Sequence, residues 1–286
     1  MTGASQFLAQ LACILSHTTN NNDLELLPLL MIASNGAPGV FVEIGANDGY
    51  SDSATLVLER CLGWKGVLIE AQPEIFRLLQ QSKRTAEKVH AAACTGSHVT
   101  MSGVRTLANG LLDETMTGVS GAVETMNARY KKIWGALLDL ENVTRVPCKP
   151  LANIIRDAGF SSVDFISVDV QGAEYDVLAS ADPRMFKVIL VEAEMVTPQK
   201  NELVRKLLKS TGHVRLNLTT VAKEKAGYNE LYALPPLDVL DPRPTTGTQE
   251  LQQLSRLLLK LVREKRVKQL GRLLDGWRSI STHRAH

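Results

Sequence analysis

The chain contains 286 residues, a length that suits one large domain or one domain with appended helices. Its composition, with 44% hydrophobic and 22% charged residues, is ordinary for a soluble globular protein that buries a sizeable core. The formal net charge of +2 is small, so the overall charge gives no indication of nucleic-acid binding.

The cysteines and the apolar segments predict a cytoplasmic protein. No CxxC pair occurs, which argues against a zinc knuckle or a redox motif, and the sequence predicts buried free thiols in a reducing compartment at Cys13, Cys61, Cys94 and Cys148. The apolar run 7–15 is interrupted by Gln10 and follows no positive charge, so it makes a poor signal peptide. No apolar stretch is long enough to span a bilayer.

The periodicity predicts two helices followed by alternating strands and helices. The first two helices are expected at 5–16 and 23–34, with Asp23 as the N-cap of the second. Later strands are expected at 40–44, 66–70, 88–94, 163–169 and 188–192, and helices at 53–62, from Pro73, at 173–179 and at 199–210. A terminal antiparallel pair is expected at 214–218 and 230–234. This order indicates an α/β fold, a doubly wound, mostly parallel sheet with helices on both faces.

One internal segment does not follow this alternation. Residues 99–148 fall between the third and fourth strands, where loops commonly shape a pocket, and 123–140 is expected to be mostly helical. Tyr130 and Trp134 have helical spacing there, which is more typical of core residues than of a substrate wall. The sequence thus divides into an N-terminal helical extension (1–39), a central domain (40–240), and a linker with a C-terminal helix (241–286).

The C-terminal helix is amphipathic and basic. From Arg256 onward the chain holds nine Lys or Arg residues against Glu264 and Asp275, a formal charge of +7 that leaves −5 for the remainder. Such a helix binds an acidic membrane surface or nucleic acid. Its leucine stripe is explained equally well, and more simply, by docking on its own domain or on a partner subunit.

A glycine-containing turn ends the first strand of the central domain and predicts a ligand site. In an open α/β sheet ligands bind at the carboxyl ends of the strands, and glycines let the backbone approach the ligand. The run 45–49 is neither GxGxxG nor a P-loop, so a pyrophosphate cradle is disfavoured. Its acidic surroundings, with Glu43 and Asp48, suit a ligand with a cationic centre, and S-adenosylmethionine fits because it carries a sulfonium and an ammonium group.

The second strand ends in Glu70, which lies 25 residues after Gly45. A carboxylate at that strand end can accept hydrogen bonds from both hydroxyls of a ribose. Because NAD sites share this pair of features, the pair alone does not identify the ligand.

Four motifs resemble those of FkbM-type methyltransferases over roughly residues 40–235. They are Phe41-Val-Glu-Ile-Gly-Ala-Asn-Asp-Gly49, Gly63-Trp-Lys-Gly-Val-Leu-Ile-Glu-Ala-Gln-Pro73, His90-Ala-Ala-Ala-Cys94, and the pair 146–151 with 163–174. The resemblance implies a Rossmann-like class I methyltransferase fold that binds S-adenosylmethionine, usually with a hydroxyl as the methyl acceptor on a small molecule or a glycan.

The resemblance also assigns roles to residues of these motifs. Glu43, Gly45 and Asn47 would lie near the methionine part of the cofactor, Glu70 would hold the ribose, and Asp169 would lie beside the transferable methyl group. Ala92 and Ala93 would border the adenine. The whole expected cofactor set is Glu43, Gly45, Ala46, Asn47, Asp48, Gly49, Ser53, Thr55, Glu70, Ala71, Ala92, Ala93, Asp169 and Gln171.

Carboxylates at two neighbouring strand ends are the candidate catalytic residues. Asp169 ends the fourth strand, and Glu192 and Glu194 end the fifth, so we predict Asp169 and Glu194 as the catalytic pair, with Asp169 as the base or as the group that orients the acceptor. The same two residues could share a divalent cation such as magnesium, although magnesium prefers a fuller shell of oxygen ligands. Glu192 and Glu194 are equally well explained as a polar strand end.

Two other functions remain open from the sequence. Relatives with the second motif often carry Ser-Asn-Thr in the first helix, whereas this chain has Ser53-Ala-Thr55. Some of those relatives act in protein trafficking, which leaves a non-catalytic binding or trafficking adaptor as an alternative. A nucleic-acid methyltransferase that uses the basic C-terminal helix is the other alternative.

Overall fold

The computed structural model describes residues 10, 12–14, 16–17, 21–104, 114–193, 198–216 and 229–235. Glu194 and the whole C-terminal segment 241–286 lie outside these residues, so the predictions made for them remain predictions. In the described part, no helix is long and apolar enough to cross a membrane.

The helices and strands alternate in the central part of the chain. The helices are α1 (Asn21–Ala33), α2 (Leu56–Leu62), α3 (Pro73–Gln81), α4 (Ala128–Trp134), α5 (Leu151–Asp157), α6 (Glu174–Ala179) and α7 (Pro198–Ser210). The strands are β1 (Val40–Ile44), β2 (Lys65–Glu70), β3 (Glu87–His90), β4 (Ala92–Ala93), β5 (His98–Val104), β6 (Leu138–Lys149), β7 (Val163–Val168), β8 (Phe186–Glu192), β9 (Val214–Leu216) and β10 (Asn229–Ala233). Short 3-10 turns occur at Glu114–Val119 and Pro183–Met185.

The main sheet has the order β3-β2-β1-β7-β8-β10-β9. The five strands from β3 to β8 are parallel, and β10 pairs antiparallel with both β8 and β9. The doubly wound, mostly parallel sheet and the terminal antiparallel pair are therefore confirmed. The chain order reverses between β1 and β7, and this reversal marks the crevice in which such sheets bind ligands.

Apolar side chains of the sheet alternate between two cores, because successive residues of a strand point to opposite faces. On one face Phe41 and Phe165 pack with α1, α2 and α3. On the other face Val42 and Ile166 pack with α5, α6 and α7. Helix α1 begins at Asn21, so Asp23, the expected N-cap, lies inside the first turn.

The prediction for the segment between β3 and β7 was wrong in two respects. The expected strand 88–94 breaks at Ala91, and its second part, β4, leaves the main sheet to pair with β6. The expected helix 123–140 is limited to α4, where the Asn127 side chain caps the Tyr130 N–H at 2.8 Å. Residues 138–149 form β6 instead, a strand that contains Val143, Thr144 and Val146, residue types that favour extended structure. With β4 and β5 it makes a second, three-stranded sheet.

The cysteines are paired, so the prediction of free thiols was wrong. Disulfides join Cys13 to Cys61 and Cys94 to Cys148, and the pairs are separated by 48 and 54 residues. No free cysteine occurs among the described residues. The spacing of the cysteines in the sequence does not indicate these disulfides, because the two cysteines of each pair lie on different elements that the fold brings together. The cysteines therefore no longer support a cytoplasmic location, which remains a prediction.

Candidate active site

A cavity of about 490 Å³ opens at the crevice between β1 and β7. Its walls are the turn after β1, the end of β2, strand β4, the turn after β7, and residues 117–125 of the segment between β5 and α4, here called the insert. This volume lies within the range that holds a cofactor or a drug-sized ligand.

Gly45 lets β1 approach β7 at the base of the cavity. Its φ is +78°, and a Cβ at this position would lie 1.9 Å from the backbone oxygen of Asp169. Any side chain here would therefore push the two strand ends apart, and a positive φ is cheap only for glycine. Ala46, which follows, is buried. The close approach that Gly45 allows in this structure is to the backbone of Asp169, and its expected approach to a ligand remains a prediction.

Asp48 closes the turn after β1 by local hydrogen bonds. Its carboxylate accepts from the backbone N–H groups of Tyr50 and Ser51 at 2.8 and 2.7 Å and from the Ser51 hydroxyl. Gly49 follows with a φ of +85°. These contacts hold the loop in shape, and Asp48 is absent from the cavity lining. Its role in this structure is that of a turn residue.

Glu43, Ser53 and Thr55 form a buried network behind the turn. The Glu43 carboxylate accepts hydrogen bonds from the Ser53 and Thr55 hydroxyls and from the Ala54 backbone N–H. This chain has Ala54 where the Ser-Asn-Thr motif has asparagine. Because Ala54 contributes only its backbone N–H to the network, the difference leaves the network intact. Burial raises the pKa of Glu43 above its ordinary value, and the nearby Arg84 guanidinium opposes that shift.

Arg84 joins this network to α2 and was not found by sequence reasoning. Its guanidinium is fully buried and donates to Glu59, to the backbone oxygen of Gly49 at 2.6 Å, and to Ser53 and Thr55. It also lies 3.9 Å from Glu43. In the sequence, Arg84 belongs to the polar run Ser82-Lys-Arg-Thr85, which looks like a solvated loop and gives no sign of burial.

Glu70 lies where the sequence predicts, at the end of β2 and on the cavity wall beside Ala71. Its two carboxylate oxygens accept from the backbone N–H groups of Asn47 at 3.0 Å and Gln72 at 2.8 Å. Burial raises the pKa of Glu70 to about 7, against the effect of these hydrogen bonds. The carboxyl group therefore changes charge near neutral pH.

Asn47 offers an acceptor that the described protein groups do not use. The residue adopts a φ of +49° and lines the cavity, and its side-chain Oδ1 is buried without a hydrogen-bond partner among the described residues. This oxygen has almost no accessible surface although the cavity is open, so it points away from the cavity, and Asn47 lines the cavity with its other atoms.

One part of the cavity wall is an apolar cluster. Ala92 of β4 belongs to it, together with Val99 and Met101 of β5, and the buried Ala93 follows Ala92 on the same wall. The Cys94–Cys148 disulfide belongs to the same cluster and ties β4 to β6 beyond their short pairing.

Asp169 follows β7 directly and its side chain is open to the cavity. It accepts a hydrogen bond from the Gln171 side-chain amide at 2.9 Å, and the same amide donates to Glu192 at 3.3 Å. Burial by the cavity walls raises the pKa of Asp169, while hydrogen bonds with Glu192 and Gln171 act in the opposite direction. A direct contact between two carboxyl groups requires that one of them carry a proton.

The fixed charges at the cavity are nearly all negative. Among the described lining residues no Lys or Arg occurs, and the acidic ones are Glu43, Asp52, Glu70, Glu124, Asp169, Asp176 and Glu192. The expected magnesium site gains no support, since Asp169 belongs to no described group of three possible metal ligands. The group that does qualify, Cys13, His17 and Cys61, is remote from this lining and has two of its sulfurs joined in a disulfide.

Comparison with known proteins identifies one family. The model of the Methyltransferase FkbM domain family matches residues 43–229, which is more than half of the chain. No curated protein matches the chain.

Solved structures of methyltransferases resemble this chain at low identity. An O-methyltransferase from Bacillus cereus in complex with SAH is 14% identical, with 79% of this chain and 89% of that one covered and a TM-score of 0.39. Cofactor-bound Rv0187 from MTB is 15% identical, with coverages of 80% and 89% and a TM-score of 0.37. Precorrin-6y C5,15-methyltransferase from Geobacter metallireducens GS-15 is 14% identical, with coverages of 68% and 78% and a TM-score of 0.33.

Proposed function

Because the chain belongs to the FkbM methyltransferase domain family, we propose that it transfers the methyl group of S-adenosylmethionine to a hydroxyl on a small molecule or a glycan. The observation that carries this proposal is the composition of the cavity. Its wall combines seven acidic residues, with no described Lys or Arg, and the apolar cluster that contains Ala92, with the buried Ala93 beside it. A ligand that carries both a positive charge and a flat ring suits such a wall.

The residues present fit this cofactor. Glu70 would accept hydrogen bonds from the ribose hydroxyls, and Asn47 would lie beside the methionine part of the cofactor. Ala92 and Ala93 would border the adenine. When bound, the cofactor supplies a methyl group on a sulfonium, which is already a good leaving group.

Asp169 is the residue that we assign to the acceptor. Its carboxylate faces the cavity at the end of β7, and it would orient the acceptor hydroxyl and take up its proton as the new C–O bond forms. A raised pKa favours this role, because the ordinary pKa of an aspartate is too low to accept a proton effectively near pH 7. Glu194, the expected partner, lies outside the described residues.

Calorimetry with S-adenosylhomocysteine tests the proposed site. The parent should bind, and Glu70→Ala should weaken binding by about 1.5–3 kcal/mol, the range for a charged hydrogen-bonding partner. Glu87→Ala, on the neighbouring strand β3 and exposed, is the matched control and should leave the affinity unchanged. Unchanged affinity in Glu70→Ala, with the fold intact, would remove Glu70 from the site.

A second assay separates the enzyme from the adaptor. Release of S-adenosylhomocysteine is followed against a broad pool of hydroxylated acceptors, with and without magnesium. A parent that binds the cofactor and methylates nothing would favour the adaptor. Transfer to RNA or DNA, with affinity that falls steeply with salt, would favour the nucleic-acid methyltransferase.

A further inference from the structure

The turn that follows β7 has an unusual backbone and carries the residues nearest to Asp169. Gln171 has a φ of +55° and Gly172 a φ of +100°, so two successive residues adopt the left-handed conformation. Glu174 fixes the turn, because its carboxylate accepts from the Gly172 N–H at 2.8 Å and the Val170 N–H at 3.4 Å. A glutamine in this conformation is rare, and the contacts of its side chain explain why it is placed there.

The Gln171 amide bridges two carboxyl groups on neighbouring strands. Its Nε2 donates to Asp169 at 2.9 Å and to Glu192 at 3.3 Å. Asp169 follows β7 and Glu192 ends β8, so the amide spans the gap between the two strand ends. Since both carboxyls line the cavity, this bridge sets how they face a bound acceptor.

Tyr130 holds the other end of the same amide. The tyrosine is fully buried in α4, and its hydroxyl lies 2.8 Å from Gln171 Oε1 and 2.9 Å from the backbone oxygen of Val119. The hydroxyl has a single hydrogen, which both carbonyl oxygens can accept, and the Gln171 amide oxygen faces Tyr130 while the amide NH₂ faces the carboxyls. The reverse orientation would place the amide oxygen, which only accepts, against two carboxyl groups.

The insert is fastened to this turn at two further points. Lys200 of α7 donates from Nζ to the backbone oxygens of Thr125 and Gly172, both at 2.6 Å. A Cβ at Gly121 would lie 3.0 Å from the Cβ of Gln171, so the two segments are in close contact. The insert wall of the cavity and the turn are therefore joined by direct contacts.

From these contacts we infer that Gln171 and Tyr130 are positioning residues for methyl transfer, and that Glu192 is the carboxyl that works with Asp169 on the acceptor hydroxyl. This inference rests on the proposed function. Tyr130 orients the Gln171 amide, and the amide holds Asp169 and Glu192 toward the cavity. The insert, which would contact the acceptor, is linked in this way to the residues that act on it.

A series of variants tests the order of these contacts. Tyr130→Phe removes one hydroxyl, and kcat should fall about tenfold, as expected for one lost hydrogen bond. Gln171→Met keeps the length of the side chain and removes both polar ends, and kcat should fall about 100-fold. The double variant should be no slower than Gln171→Met, because Tyr130 acts through Gln171. The KM for the acceptor should change less than twofold in each, and the affinity for S-adenosylhomocysteine should change less than twofold in Tyr130→Phe.

The matched control is Tyr232→Phe, which removes another buried tyrosine hydroxyl, one that donates to Glu230 in the same strand. It should leave kcat at the parent value. If Tyr130→Phe acts only through general destabilisation, Tyr130→Phe and Tyr232→Phe will lower the melting temperature and kcat to the same extent. That result would overturn the inference. Effects of Tyr130→Phe and Gln171→Met that multiply in the double variant would overturn it as well.

The failure of this inference is distinguishable from failure of the proposed function. A parent that transfers no methyl group would overturn the proposed function and with it the catalytic role of these contacts. If the parent is active and kcat is unchanged in Tyr130→Phe and Gln171→Met, this inference alone is overturned. The side-chain ¹⁵N–¹H resonances of Gln171, assigned by their loss in Gln171→Met, should shift in Tyr130→Phe and stay in place in Tyr232→Phe.

Discussion

The two strand ends that meet at the cavity differ in what their polar side chains contact. Behind the turn after β1, the Glu43 carboxylate is surrounded by hydroxyls, a backbone N–H and the Arg84 guanidinium, all from the protein. After β7, Asp169 faces the cavity, and its contacts among the described residues are with Gln171 and Glu192. A carboxylate whose hydrogen bonds are all made within the protein, such as Glu43, holds the backbone of the turn in shape. A carboxylate that is open to the cavity, such as Asp169, can contact a bound acceptor.

Arg84→Met should have the largest effect, and on stability. Removing the guanidinium leaves Glu43 and Glu59 buried without their cation, which costs about 3–5 kcal/mol in the free energy of unfolding. Urea denaturation measures this loss. The control is Arg184→Ala, which breaks an exposed ion pair with Asp182 and should leave the free energy of unfolding near that of the parent. Equal, small losses for both would mean that the Arg84 network does not hold the turn.

Asp169→Asn should have the next largest effect, and on the rate. Asparagine keeps the shape of the side chain and cannot take up the acceptor proton, so methyl transfer should fall about 100-fold or more. The melting temperature and much of the cofactor affinity should be kept. A variant as active as the parent would show that Asp169 has no catalytic role. The proposed difference in function between Asp169 and Glu43 would then be wrong.

The affinity for S-adenosylhomocysteine should depend on pH through Glu70. In the free protein the pKa of Glu70 is about 7, and the ionised carboxylate is the better acceptor for ribose hydroxyls. Binding should therefore weaken about tenfold as the pH falls from 8 to 6. Calorimetry across this range measures it, and Glu70→Gln should remove the dependence. An affinity that rises toward low pH would show that the protonated form binds.

For stability the same pKa has the opposite consequence. Because burial raises the pKa of Glu70 above its ordinary value, the folded state binds the proton more tightly than the unfolded state does. Its contribution to stability is thus complete at low pH and is lost as the pH rises toward and through about 7. Cofactor binding and stability should therefore respond to this carboxyl in opposite directions.

The C-terminal segment should have the smallest effect on the site. A chain that ends near Leu240 lacks the basic helix, and the residues assigned to the cofactor all precede that point. Its affinity for S-adenosylhomocysteine should equal that of the full chain in calorimetry. If the shortened chain folds and loses cofactor affinity, the division at residue 240 is wrong.

The sequence predicted the sheet well because its strands are short apolar runs that end in glycine or acidic residues. Val163–Val168 and Gly172 place Asp169 at a strand end without any knowledge of the fold. Glu70 is found by the same pattern at the end of β2. In both cases the signal is local, since periodicity and turn residues lie within about ten positions of the predicted side chain.

The residues that sequence reasoning missed act over long separations. Arg84 reaches Glu43 and Glu59 from a polar loop, and Tyr130 reaches Gln171 across 41 positions. The disulfides likewise join residues 48 and 54 positions apart. Such contacts depend on how elements pack, and the side chains involved have no local pattern that distinguishes them from solvated or core residues.

The most direct test of the proposed cavity is a crystal structure of the parent chain with S-adenosylhomocysteine. The ribose hydroxyls should lie within hydrogen-bond distance of Glu70, the methionine part beside Asn47, and the adenine against Ala92 and Ala93. The sulfur should face the side of the cavity that holds Asp169. A ligand bound elsewhere, or a cavity that stays empty at saturating concentration, would contradict the assignment of this cavity to the cofactor.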